Sequence, residues 1–392
     1  MRLVLLAAAL RASSVLGDDA PPALVFTKSE VKDCTRIRTP QLMHNEHTGL
    51  FHVIARCCGP NMCSSKRGLI GDDAADVQTS VSGNRRHLDN DKDATVIMKT
   101  SADKGKTWGK LQTLSPSGRH SYSNGAGIYD VHRRRLVVQY NFIPRGSTKG
   151  AYNASLHQIH SDDDGKTWST ARDLTSFISK CQDSVQNTQL QSAGTKVQTP
   201  TGRLVFAGHD HSRSRVCVWY SDDGGESYEA TLTEATNEVS IAVADTSSRT
   251  LYMNGRGGKQ FLPNRAEYWS YDDGTTWSLG SRSELEDDDG EGCERSVVNV
   301  GNRLYTLEPL GKQRTGMVLQ CSTDHGKSWP RRLSVNGDYR GGYSALIGIN
   351  NTTLLAVWED GSHPLGSALA FGEDPDSGNF FVQQLSTTFC TE

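Results

Sequence analysis

The chain has 392 residues, 35% hydrophobic and 22% charged, with 38 glycines against 12 prolines, a composition that suits a turn-rich globular protein rather than a disordered or membrane one. Its 42 basic and 45 acidic side chains are interspersed and leave a formal net charge of −3, so there is no bulk electrostatic footprint for nucleic acid or an anionic membrane. Any cationic site must be assembled by the fold.

Met1–Arg2, the apolar run Leu3–Leu10 and the small-residue stretch Ala12–Gly17 read as a signal peptide over residues 1–17, the apolar run being too short to span a bilayer. No later segment has the length and apolarity of a transmembrane helix, and Leu385–Glu392 lacks the apolar tail of a lipid-anchor signal. A secreted protein is expected, with a lysosome-like compartment as the alternative. Nine cysteines (34, 57, 58, 63, 181, 217, 293, 321 and 390) make disulfides plausible there, but the count is odd and connectivity is not readable. Asn153-Ala-Ser155, Asn350-Asn-Thr352 and Asn351-Thr-Thr353 fit the glycosylation acceptor pattern.

From residue 101 onward a single turn motif recurs. It reads Ser101-Ala-Asp103-Lys-Gly105-Lys-Thr-Trp108, then Ser161-Asp-Asp163-Asp-Gly165-Lys-Thr-Trp168, Ser221-Asp-Asp223-Gly-Gly225-Glu-Ser-Tyr228, Ser270-Tyr-Asp272-Asp-Gly274-Thr-Thr-Trp277 and Ser322-Thr-Asp324-His-Gly326-Lys-Ser-Trp329. In each, Asp can bond backbone N–H groups inside a tight turn, Gly can take a positive φ, and the ring anchors the turn to the core. Short β-rich runs precede the boxes, such as Val96–Met98, Leu156–Ile159, Val216–Trp219 and Met317–Leu319, so each box is predicted to join two strands of a hairpin.

A second recurring strand has a Leu-apolar core, at Leu50–Ala55, Arg135–Tyr140, Arg203–Gly208, Thr250–Gly255, Arg303–Glu308 and Thr353–Trp358. Box starts 60, 60, 49 and 52 residues apart suit a four-stranded propeller blade carrying loops. The expectation is an all-β, six-bladed propeller of antiparallel blades over residues 18–392, with a long loop from Cys57 to Asp93 inserted in the first blade.

Asp-box turns on six blades resemble the sialidase (neuraminidase) superfamily across nearly the whole mature chain. The resemblance implies a cluster of three arginines for a ligand carboxylate, a task suited to the planar, permanently charged guanidinium. The family's Arg-Ile-Pro motif has its counterpart in Arg38-Thr39-Pro40, with Arg36-Ile37 as a competing register. Leu251-Tyr-Met-Asn254-Gly-Arg256 matches the strand that ends in the second arginine, and Arg314 precedes the last box by a strand, as the third should.

Tyr343 in Gly341-Gly-Tyr343-Ser344 resembles the family's nucleophilic tyrosine, and Glu238 in Thr236-Asn-Glu238-Val-Ser the glutamate that pairs with it. A sialoside's anomeric carbon already bears a carboxylate, so an anionic carboxylate nucleophile is repelled where a phenol can approach neutral. The glutamate then takes the phenolic proton during attack. The acid falls in the loop before the first box, where Asp91 is preferred over Asp89 and Asp93, and Arg86 is the residue expected to touch sugar hydroxyls, with Arg85 able to exchange roles.

The resemblance therefore implies a retaining exo-α-sialidase acting on glycoconjugates that bear terminal sialic acid or the deaminated analogue KDN, with no metal or cofactor. A trans-sialidase and a non-catalytic glycan-binding propeller are the alternatives, since fold does not imply function. His209-Asp210-His211 lacks a dedicated zinc spacing and, like the acidic run Glu284–Glu291, reads as loop rim.

Overall fold

The computed structural model describes residues 22–27, 29–31, 34, 36–59, 94–116, 120–144, 154–181, 194–210, 215–233, 238–256, 265–280, 293–311, 314–360 and 380–391. Within them the five boxes fold identically. In the first, the Ser101 hydroxyl accepts the Gly105 N–H at 2.8 Å and donates to Asp103 Oδ1 at 2.8 Å. Asp103 in turn accepts the Thr107 N–H at 2.8 Å and the Thr107 hydroxyl at 2.6 Å. Two successive residues must turn left-handed to make this loop: φ is 61° at Lys104 and 82° at Gly105, and the other four boxes repeat the pair. The second of the two is always glycine, which carries no Cβ penalty there.

Each box closes the hairpin between the third and fourth strands of a sheet. An N-terminal strand, β1 (Ala23–Leu24), is followed by the first blade: β2 (Arg36–Asn45), β3 (Leu50–Cys58), β4 (Ala94–Ser101) and β5 (Gln112–Thr113). The second comprises β6 (Ser121–Asp130), β7 (Arg135–Ile143), β8 (Ser155–Ser161) and β9 (Arg172–Asp173), and the third β10 (Val197–Gln198), β11 (Leu204–Asp210), β12 (Arg215–Ser221) and β13 (Glu229–Thr233). The fourth holds β14 (Val239–Val243), β15 (Leu251–Gly255), β16 (Ala266–Ser270) and β17 (Ser278–Leu279), and the fifth β18 (Ser296–Val300), β19 (Arg303–Gly311), β20 (Thr315–Ser322) and β21 (Arg331–Ser334). The last sheet is ordered β1, β24 (Phe380–Ser386), β23 (Thr353–Asp360), β22 (Gly341–Asn350), so the N-terminal strand completes the final blade.

The leading strands meet in a ring, β2 against β6 and β22, β22 against β18, β18 against β14, and β10 against both β6 and β14. This is the six-bladed propeller that the repeats predict, and the six Leu-apolar runs form the second strand of each blade. Apolar side chains of adjacent blades fill the space between them. The box rings Trp108, Trp168, Tyr228, Trp277 and Trp329 each pack on one of these inter-blade clusters. Full burial of a large apolar side chain stabilises by roughly 1.5–3 kcal/mol, so the box serves the core as well as the turn.

Two local expectations are corrected. Cys57 and Cys58 belong to β3 rather than to the inserted loop, because the ladder continues to Cys58 opposite Ala94 and Cys57 is bonded to Cys34. His209 is buried within β11 opposite Val216 and not on a loop rim, because the β11–β12 ladder runs on to Asp210 and Arg215. Among the described residues disulfides also join Cys181 to Cys217 and Cys321 to Cys390, and Cys293 is a buried free thiol. No helix among the described residues is long and apolar enough to cross a membrane. Residues 1–17, the Asn153 acceptor, His211 and Glu284–Glu291 lie outside the described residues.

Candidate active site

In an antiparallel blade the start of the first strand lies beside the end of the second. Val239 pairs with Gly255, Gly341 with Asp360 and Arg38 with Arg56, so these strand ends gather at one mouth of the ring. The boxes sit at the opposite mouth, as the pairing of Ser270 with Leu251 shows. Side chains for chemistry and turns for architecture thus occupy different ends.

Two leading strands bulge where they approach that mouth. The β2–β3 register shifts by one residue between Arg38 and Gln41, with Thr39 at φ 55°, and the β22–β23 register shifts between Gly341 and Ser344. A bulge re-aims the residues beside it. Here it also accommodates Pro40, which has no N–H to give a ladder.

These features bring five of the residues singled out from sequence together. Tyr343 is fully buried, and its hydroxyl donates to Glu238 Oε1 at 2.6 Å. Arg256 Nη1 donates both to Glu238 Oε2 at 2.9 Å and to the Tyr343 oxygen at 3.2 Å, so one guanidinium spans the pair. The guanidinium carbons of Arg38 and Arg314 lie 5.3 and 5.6 Å from the centroid of the Tyr343 ring, within cation–π range. The Arg38-Thr39-Pro40 register is thus the one that puts a guanidinium on the tyrosine.

Positive charge around the phenol favours the anion that forms when its proton leaves, and the adjacent carboxylate is placed to receive that proton. Among the named groups three arginines face two carboxylates, Glu238 and Glu359. Glu359 Oε1 accepts Arg38 Nε at 3.0 Å and the Thr39 N–H at 2.8 Å, holding the bulge and its arginine in place. All of these residues are less than a tenth exposed. Charge-assisted contacts in such surroundings are stronger than in water.

A family model described as the BNR repeat-like domain matches residues 84–356, about two-thirds of the sequence. The chain belongs to this family, within the sialidase superfamily. This BNR-repeat chain is 24% identical over 302 residues to a Bacteroides fragilis (strain YCH46) protein named sialidase, an alignment covering 67% of the chain and 54% of that relative. It spans about half the length of the curated relatives first matched. Among solved structures, the Hadza microbial sialidase Hz136 superposes with a TM-score of 0.70 at 20% identity, over 94% of this chain and 68% of that one. The intramolecular trans-sialidase from Ruminococcus gnavus, complexed with oseltamivir carboxylate, also gives 0.70, at 14% identity over 93% of this chain and 97% of that one.

Asp91, its competitors Asp89 and Asp93, and Arg86 with Arg85 lie outside the described residues. Three other members of the BNR-repeat site escaped the sequence reading. Glu359 lies 321 positions from the Arg38 it pairs with, so no local pattern announces it. Arg56 is buried, and its Nη1 donates to Asn124 Oδ1 at 3.4 Å. The available signal was its place at the end of the first Leu-apolar strand, the position that Arg256 follows in the fourth blade. Cys293 packs against Tyr343. Burial pushes its thiol up to about 11 against the pull of Arg314 and Arg256, so it stays protonated.

Proposed function

We propose that the chain is a retaining exo-α-sialidase that releases terminal sialic acid, or the deaminated analogue KDN, from glycoconjugates. The observation that carries this reading is the buried Tyr343–Glu238 hydrogen bond spanned by Arg256 and flanked by Arg38 and Arg314. The three guanidinium groups receive the sugar carboxylate. Tyr343 Oη forms a bond to the anomeric carbon while its proton passes to Glu238, and the bond to the leaving oxygen breaks as Asp91 protonates that oxygen. Water, deprotonated by Asp91, then attacks the anomeric carbon and displaces the tyrosine, which recovers its proton from Glu238. Two inversions give net retention. No step calls on a metal or cofactor.

Name and fold of the relatives support the substrate class: a sialidase name attaches to the Bacteroides fragilis relative and to a structural neighbour. The fit to the Ruminococcus gnavus enzyme over 97% of its length favours a second reading, transfer of the sugar to a hydroxyl instead of to water. Disulfides formed by Cys34–Cys57, Cys181–Cys217 and Cys321–Cys390 suit an oxidising compartment, and we place the protein outside the cell on that basis.

The test is product analysis of the purified chain on sialyl and KDN glycosides, followed by proton NMR. Free sugar acid appearing first as the α-anomer supports retaining hydrolysis, and the β-anomer first overturns it. An anhydro sugar, or a new sialoside in excess galactoside acceptor, selects transfer. No release from any sialoside or KDN glycoside sinks both readings.

A further inference from the structure

Beside the strands that carry Glu238 and Tyr343 lies a second pair of buried ionisable groups, Lys196 and Glu294, to which the proposed chemistry gives no task. Lys196 immediately precedes β10, and Glu294 stands two residues before β18. The Lys196 ammonium donates to the carbonyl of Gly194 at 2.8 Å and to that of Val239 at 3.3 Å. Val239 is the residue after Glu238. Glu294 Oε1 accepts the Ser240 hydroxyl at 2.8 Å, and the backbone N–H of Ser344, the residue after Tyr343, favours the ionised form of the Glu294 carboxylate.

The two side chains therefore grip the strands that carry the nucleophile and its base, each within two positions of the reacting residue. They do so from different blades. Lys196 belongs to the third blade, Val239 and Ser240 to the fourth, Glu294 to the fifth and Ser344 to the sixth, so one pair braces four consecutive leading strands.

The backbone around the pair is built to hold it. The Thr195 N–H donates to the Ser240 hydroxyl oxygen at 3.0 Å, and the Thr195 carbonyl accepts the Ile241 N–H at 2.9 Å. Gly194, at φ 104°, lies so close that a Cβ there would meet the Ser240 hydroxyl and the Val239 carbonyl at 2.4 Å and Glu294 Oε1 at 2.9 Å. Ser344 is tied to the same place by its hydroxyl contact with Ser296 at 2.9 Å. Glu294 Oε2 is buried without a hydrogen-bond partner in the described structure. Two ionisable groups kept in such a setting are costly unless each answers the other.

We propose that Lys196 and Glu294 are positioning residues for the reaction: they fix Glu238 against Tyr343 and set the electrostatic field in which Glu238 works. This rests on the reading of Tyr343 and Glu238 as nucleophile and base. The groups that act on one another include Lys196 with Glu294 and Glu238, Glu294 with Lys196, Arg265 and the Cys293 thiol, and Glu238 with Lys196, Arg256 and Tyr343. Burial lowers the proton affinity of Lys196, which Glu294 and Glu238 raise again, and burial raises that of Glu294, which Ser240 and Lys196 pull down. Because Glu238 favours the charged lysine, the charged lysine favours ionised Glu238. Reciprocity of coupling demands it.

Three variants test this on the full chain, each checked for folding by thermal melting. Lys196→Met removes the cation at nearly constant shape. The acidic limb of its kcat/KM profile moves to higher pH by roughly one unit, the size expected for losing a buried opposite charge near a carboxylate. Glu294→Ala removes the grip on Ser240 and Ser344, and kcat falls about tenfold or more with KM little changed, as for an interaction felt in the transition state alone. Glu294→Gln keeps an acceptor for both donors and restores most of that rate.

A merely structural pair would change the melting temperature yet leave the limb and the rate per folded molecule alone. Folded Lys196→Met and Glu294→Ala proteins with parental limb and kcat overturn the proposal while the proposed chemistry stands. If Glu294→Ala does not fold, the limb of Lys196→Met decides. A parent without activity, or a fully active Tyr343→Phe, overturns both.

Discussion

Arg38 stands directly opposite Arg56 across the ladder between β2 and β3, so two guanidinium groups enter the same end of the first blade from adjacent strands. Glu359 answers Arg38, while Arg56 reaches toward Asn124 on the neighbouring leading strand. We propose that Arg56, so placed, contacts a bound polar ligand instead of shaping a turn. Arg56→Met is expected to raise KM for a sialoside with kcat little altered, by about 1.5–3 kcal/mol of lost charge-assisted hydrogen bonding. Steady-state kinetics check it, and an unchanged KM removes Arg56 from the site.

Glu238→Gln keeps the shape of the pair but takes away the proton acceptor. The expected loss in kcat is about 10²–10⁴-fold, the usual contribution of a positioned general base. Tyr343→Phe should accumulate no covalent glycosyl-enzyme when a fluorinated, slowly turned-over sialoside is added. Intact-protein mass spectrometry reads this directly, and an adduct on the phenylalanine variant would move the nucleophile elsewhere.

A second buried polar cluster lies between the fourth and fifth blades. Glu308 meets Arg295 and Arg265 and accepts from Gln320, and all four residues are buried. Glu308→Ala leaves two buried guanidinium groups short of their shared carboxylate, and breaking such a pair costs about 3–5 kcal/mol. A fall of this size in the free energy of unfolding by denaturant, with site residues untouched, is the expected result.

The boxes carry a pH dependence. Hydrogen bonds from the Thr107 and Thr167 hydroxyls, helped by their backbone N–H groups, hold the carboxyls of Asp103 and Asp163 down at about 2. In the unfolded chain an aspartate titrates near its ordinary value of about 3.9. Depression in the folded state means that the stabilisation is fully present above about pH 4 and is lost as pH falls toward 2. The melting temperature should decline across that window, and less steeply in an Asp103→Asn, Asp163→Asn double variant. Equal slopes would assign the acid sensitivity to other groups.

Turn chemistry made the architecture readable, because Ser101, Asp103, Gly105 and Thr107 satisfy one another within seven residues. The same holds for the second strands, where a Leu-apolar core is a local pattern. Tyr343, Glu238, Arg256 and Arg314 were singled out through the resemblance of their segments to the sialidase superfamily, and the structure brings them together. Long-range pairings were not legible: Glu359 holds Arg38 from 321 positions away, and nothing near Lys196 in sequence points to Glu294. Disulfide partners such as Cys321 and Cys390, 69 residues apart, are set by which blades meet and leave no mark in spacing.

The pairing of β1 with β24 makes the first described strand the outer edge of the last blade, extended by the Val25 N–H bonding the Phe380 carbonyl at 3.1 Å. Two ladder positions thus fasten the N-terminal strand to the last blade, and Phe26 and Phe380 join the apolar cluster that packs the first blade against the last. Clipping the chain after Phe26 would bare the β24 edge, and a bare edge invites pairing with another molecule. The outer edge of the last blade is therefore where self-association would begin, and a fusion partner joined directly before Ala23 bears on solubility before it bears on catalysis.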